Sequence, residues 1–162
     1  MQLFDSHCHF DFPAFDQDRA SLWQACQQQG ISHLLMPGVS PEQWPLAAQL
    51  CAKYPGLVYA AGLHPHWISE WMSKCGAKGM SGTLAGSDQH RQEFALQKIS
   101  QLIEGQFSLA ANGDAGKCVA VGECGLDKLI ATPLALQQQV LHMHIDLANQ
   151  LHKPLIIHSV KT

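Results

Sequence analysis

The chain has 162 residues, enough for one domain or a piece of a larger one. Hydrophobic residues make up 46% of it and charged residues only 14%, against roughly 25% in a typical soluble domain, which excludes disorder as the main state. The formal net charge of −3 brings no overall attraction to nucleic acid or anionic lipid. The longest apolar stretches, such as Leu57–Leu63, fall far short of the about 20 residues that cross a membrane.

In chain order, Leu3–Phe4 opens as a strand that runs into Asp5-Ser6-His7-Cys8-His9. Ala20–Gln29 is a predicted helix, with Leu22, Trp23 and Cys26 on one face and Gly30 just past its end. Ile31–Met36 is the second strand. Ser40-Pro41-Glu42-Gln43 has the pattern of a capping box and opens a helix to about Tyr54, with Ala47, Leu50, Cys51 and Tyr54 inward. Leu57–Leu63 is the third strand. Lys74–Gln89 is rich in Gly and Ser, has no apolar period and is expected to be an exposed loop. A helix from about Asp88 to Glu104 carries Phe94, Leu96, Ile99, Leu102 and Ile103, and Asn112-Gly113-Asp114 makes a turn.

Cys118–Val121 is the fourth strand. Pro133–His152 is expected to be the longest helix, with Val140, His144, Leu147 and Leu151 at helical spacing. Pro154 ends it, and Leu155–Ile157 is the fifth strand. The triplets Gln27-Gln28-Gln29 and Gln137-Gln138-Gln139 fall on helices as solvated faces. Short apolar strands alternating with helices indicate parallel β/α units, and continuous apolar strands indicate burial on both faces. The six cysteines include no CxxC and read as reduced core residues. The N-terminus lacks the basic and apolar regions of a secretory signal, so the cytoplasm is the expected location.

Function in α/β sheets gathers at the carboxyl ends of strands. Here strand one ends in His7-Cys8-His9, strand three in His64-Pro65-His66, strand four in Gly122-Glu123-Cys124-Gly125-Leu126-Asp127, and strand five in His158-Ser159. In an extended segment His7 and His9 project to the same side, where two imidazoles share one cation. Glu123, directly after a buried strand, is costly unless paired or bound to metal. A set of His, His, Glu and His suits zinc or another divalent transition metal. His33, His90, His142, His144 and His152 read as structural or surface residues. Trp23, Trp44, Trp67 and Trp71 read as packing, with Trp67, next to His64–His66, also placed to line a pocket.

These four motifs, in this order and rough spacing from residue 3 onward, resemble the TatD family of metal-dependent hydrolases, within the amidohydrolase-like superfamily. The resemblance implies a TIM-type (β/α)8 barrel, incomplete here, with about five of its eight units in residues 1–162 as the N-terminal part of one domain. It implies two divalent cations (Zn, Mg or Mn). His7 and His9 would hold the first, Glu123 would bridge both and serve catalysis, and His158 would hold the second. His64 would contact a substrate phosphate. Asp127 would orient a neighbour from behind, or cap the following segment. The implied chemistry is deoxyribonuclease-type hydrolysis of DNA phosphodiesters by two-metal activation of water.

The family pattern also has a later histidine and aspartate, which are not among the 162 residues, and commonly an Arg where Val160 stands. An impaired chain with weak metal binding, little turnover and self-association through open sheet edges is therefore expected. The alternatives are a catalytically inactive fragment that keeps partial metal binding, and a hydrolase of a small phosphoester or other non-nucleic-acid substrate. The low basic content favours the latter slightly.

Overall fold

A computed structural model describes residues 2–78, 88–108 and 116–162. Five strands, β1 (Leu3–Asp5), β2 (Ile31–Met36), β3 (Leu57–Ala61), β4 (Cys118–Asp127) and β5 (Leu155–Val160), form one sheet in the order of the chain. All four pairings are parallel. The sheet curls, and helices lie between successive strands: α1 (Arg19–Gln28), α2 (Trp44–Lys53), α3 (Pro65–Lys78), α4 (Asp88–Ser108) and α5 (Leu134–Leu151). Among the described residues, no helix is long and apolar enough to cross a membrane.

Alternation along the strands divides the core. Leu34, Met36, Leu57, Tyr59, Ala61 and Val121 join the main cluster with Trp44, Ala47, Ile99, Ile103, Val140 and Leu147 of the helices. Leu35, Ala60 and Ala120 form a second, smaller cluster, flanked by Val58, Val119 and Ile156. The six cysteines are unpaired, and burial pushes the thiols of Cys51, Cys118 and Cys124 up to about 12. Those three are inert core residues.

Several expectations need correction. The segment read as a loop from Lys74 is helical through Lys78, and residues 88–89 begin α4. Residues 79–87 and the expected turn at 112–114 lie outside the described residues. Helix α3 escaped notice because Lys74 and Gly76 dilute its apolar composition. Its spacing is nevertheless helical: Ile68, Trp71 and Cys75 are buried, with Met72 beside them. The helix expected from Pro41 begins at Trp44, with no side-chain cap, because Gln43 is engaged elsewhere. At 21 residues α4, not the 18-residue α5, is the longest helix among the described residues. Gln137 is buried, not solvated, whereas Gln138 and Gln139 are exposed. Finally, β4 continues to Asp127, so Glu123 and Asp127 lie within the strand and not after it.

Candidate metal centre

Glu123, on β4, sits at the middle of a ring of four imidazoles supplied by the ends of β1, β3 and β5. Its Oε2 faces the segment after β1, with His7 Nε2 at 3.4 Å and His9 Nε2 at 3.5 Å. Its Oε1 faces the other way, with His158 Nδ1 at 3.2 Å and His64 Nε2 at 3.7 Å. The expectation that His7 and His9 share a side holds: both rings reach one oxygen, with centroids 5.4 Å apart. Beyond β1 the chain keeps its line because Cys8 N–H donates to Leu35 O at 3.1 Å.

The backbone around Glu123 is pinned from both sides. Gly38 N–H donates to Gly122 O at 3.2 Å, and Glu123 N–H donates to Gly38 O at 2.7 Å. Gly122 has φ +117°, a conformation that glycine alone adopts readily, and a Cβ there would meet Ile156 O at 2.5 Å. This close approach lets β5 lie against β4, bringing His158 to Glu123.

Chemistry separates the four imidazoles further. His66 N–H donates to His64 Nδ1 at 3.2 Å. In the neutral ring the proton then sits on Nε2, which makes that atom a donor and not a ligand. Burial lowers the His64 pKa to about 4, and Glu123 only partly opposes it, so the ring is neutral near pH 7. His158 lies between two carboxylates, with Nε2 3.2 Å from Asp127 Oδ2. When Nε2–H is donated to Asp127, Nδ1 is left bare beside Glu123, the carboxylate–histidine arrangement of metal sites. Asp127 has contacts of both kinds considered for it. Its Oδ2 orients His158, and its Oδ1 accepts Leu129 N–H at 2.8 Å, capping the segment after β4. That backbone hydrogen bond holds the Asp127 carboxyl below the usual range, and His158 and His66 add to it against burial.

The donor set fits divalent cations. The donor atoms of His7, His9 and Glu123 lie within 4.8 Å of one another, and Glu123 and His158 stand as close on the other side, where the protonated Nε2 of His64 leaves that ring beside the pair and not in it. Buried Glu123 Oε2 and His9 Nδ1 have no hydrogen-bond partner, the condition that a bound cation relieves at a carboxylate oxygen. Burial pushes the Glu123 carboxyl up, but the His9, His64 and His7 rings pull it below the usual range. It is therefore ionised near pH 7, as a ligand must be.

Four supporting residues were missed or undervalued in the sequence. His66 Nε2 reaches Asp127 Oδ2 at 3.3 Å, and its place two residues after His64 was the available signal. Gln137 accepts Asp127 N–H at 2.7 Å and donates to Asp127 O at 3.0 Å and Thr132 O at 2.7 Å. It takes the place of a neighbouring strand. His144, read as structural, donates from Nδ1 to Val140 O at 2.8 Å and accepts Leu63 N–H at 3.0 Å, fixing the residue before His64. Gln43 donates to Asp11 Oδ2 at 2.7 Å and accepts Val39 N–H at 3.1 Å, tying the loop after β1 to the loop after β2. His33, His90, His142 and His152 are exposed and lie outside the ring of imidazoles.

Comparison with known proteins places this geometry. The family model described as TatD related DNase matches residues 4–162. A relative from Escherichia coli K12, named uncharacterized metal-dependent hydrolase YjjV, is 29% identical over 162 residues, covering 99% of this chain and 52% of its own. The 3'-5' ssDNA/RNA exonuclease TatD of Cronobacter sakazakii is 27% identical, covering 96% of this chain and 48% of its own. The crystal structure of the Escherichia coli TatD homologue YjjV matches with TM-score 0.68 and 30% identity, covering 99% of this chain and 51% of that one. A TatD family hydrolase from Entamoeba histolytica shares the fold, with TM-score 0.70 at 18% identity, over 99% of this chain and 50% of that one. The chain thus spans about half the length of the relatives it matches, and its five strands correspond to part of a TIM-type barrel.

Proposed function

Because the chain belongs to the TatD-related DNase family, we propose that it forms the metal-binding half of a hydrolase acting on phosphodiester bonds of DNA. The observation that carries this reading is the division of the Glu123 carboxylate, one oxygen to His7 and His9 and the other to His158 and His64. A carboxylate so placed would be shared by two cations of the Zn, Mg or Mn type. Cations held there would supply a clamp on a phosphate and a water of lowered pKa.

The chain's own residues have separate tasks. His7 and His9 would hold one cation and His158 the other, with Glu123 common to both. Neutral His64 presents its Nε2–H as a donor to a phosphate oxygen, without adding a positive charge that would repel the cations. Asp127 positions His158 and, through His66, steadies the same corner. The relatives' names, metal-dependent hydrolase and 3'-5' exonuclease, support this class of reaction. The net charge of −3 keeps a small phosphoester as the second substrate class. The unpaired cysteines support a cytoplasmic place, and exposed Leu3, Phe4 and Ile157 on the two edge strands support self-association.

The test is release of nucleotides from a single-stranded oligonucleotide with Mg, Mn or Zn. Slow cleavage, abolished by chelator and by Glu123→Ala, is expected. Cleavage indifferent to both changes contradicts the site. No cleavage, with metal binding retained, favours the inactive alternative.

A further inference from the structure

A cavity of about 190 Å³ opens beside the cluster, lined by His9, Phe12, Val39, His64, His66 and Trp67. Two of these walls, His9 and His64, face Glu123, so the cavity and the cluster are continuous. The remaining walls have a different character. Phe12 and Trp67 are half-buried, Val39 is buried and His66 is exposed, and among the described residues no lysine or arginine lines the space. The aromatic rings are held in place by cluster histidines. Phe12 stacks on His9, centroids 4.6 Å apart and planes 28° from parallel, and Trp67 stands edge-on to His64 at 5.5 Å.

This division of labour selects a ligand. Apolar walls without a fixed charge make a poor phosphate site and a good one for a flat ring. The cluster next to them would suit an anion once cations are held there. A molecule whose phosphate lies at Glu123 and His64 therefore projects its attached group toward Phe12 and Trp67. We propose that this cavity receives the base of the nucleotide whose phosphate lies at the cluster. The inference rests on the phosphodiesterase reading and deepens it. Stacking tolerates any base, because each has a π-face, so little sequence preference follows.

The test compares two short oligonucleotides, one normal and one with abasic sugars, binding to the chain in the presence of Mn²⁺. The normal oligonucleotide is expected to bind tighter by about 5–150-fold, the factor that corresponds to about 1–3 kcal/mol of stacking. Phe12→Ala and Trp67→Ala should each narrow that gap and leave the abasic affinity and Mn²⁺ binding unchanged, and Trp67→Phe should restore most of it. Equal affinity for both oligonucleotides, or equal weakening of both by Phe12→Ala and Trp67→Ala, overturns the base cavity while leaving the cluster's role intact. Failure of either oligonucleotide to bind a Mn²⁺-loaded chain overturns the phosphodiesterase reading, and the cavity's role with it.

Discussion

The two oxygens of Glu123 face differently built surroundings. On the Oε2 side, His7 has a side chain 46% exposed and His9 Nδ1 has no partner. On the Oε1 side, His158 is gripped between Glu123 and Asp127, Asp127 is shared with His66 and Leu129, and the Asp127 backbone is clasped by Gln137. One side is a segment beyond the end of a three-residue edge strand, held by its backbone and not by partners of the imidazoles. The other is the longest strand described, paired along its end with β5. Geometry held by a supporting shell costs less to organise when a ligand arrives. The Oε1 side should therefore bind its cation more tightly.

The largest effect that tests this contrast comes from removing one histidine per side. His158→Ala should abolish the tighter of two classes of Mn²⁺ binding and His7→Ala the weaker, as read by calorimetric titration. If the two variants lose the same class, the sides are not separate sites. A smaller effect is expected from Asp127→Asn, which leaves the ligands in place but loosens His158. Loss of an outer partner typically lowers metal affinity about 10–100-fold. The change should fall on the tighter class alone, and an equal change in both would erase the distinction.

Gln137→Leu probes one layer further out. It leaves Asp127 N–H and two carbonyls without partners inside the protein, at about 1–3 kcal/mol per unsatisfied group. Denaturant unfolding should show a loss of at least about 2 kcal/mol. The effect on metal affinity should be smaller than that of Asp127→Asn. Unchanged stability would mean that water replaces the glutamine freely.

The smallest expected effect concerns His144, which supports His64 from behind. Burial lowers its pKa to about 4, so the folded protein binds it neutral while the unfolded chain protonates it near 6.5. Its contribution is full above pH 6.5 and is lost as the pH falls toward 4. His64 shifts the same way, so His144→Gln should remove only part of the stability change across that interval. A full-sized change in His144→Gln would assign the pH dependence to other groups.

The strand-end residues were legible because apolar runs mark buried parallel strands and four of the five runs lead into His or Glu. Even the bounds of β2 could be read from composition. The extent of β4 could not, because Gly122 and Gly125 look like a turn, whereas their conformations allow the strand to continue beside β5. Gln137 carried a usable signal, since it falls in register with Val140, His144 and Leu147, all buried. A polar side chain at a core position was discounted. The Gln43–Asp11 tie joins residues 32 apart in sequence, and no periodicity marks such a bond.

The central claim is that one carboxylate joins two cation sites. Equilibrium dialysis against Mn²⁺, comparing the unaltered chain with Glu123→Ala, addresses it most directly. The expected result is about two cations per chain in the first and loss of both classes in the second, while His64→Ala retains them. Full Mn²⁺ content in Glu123→Ala, or one class surviving intact, would contradict the bridging role.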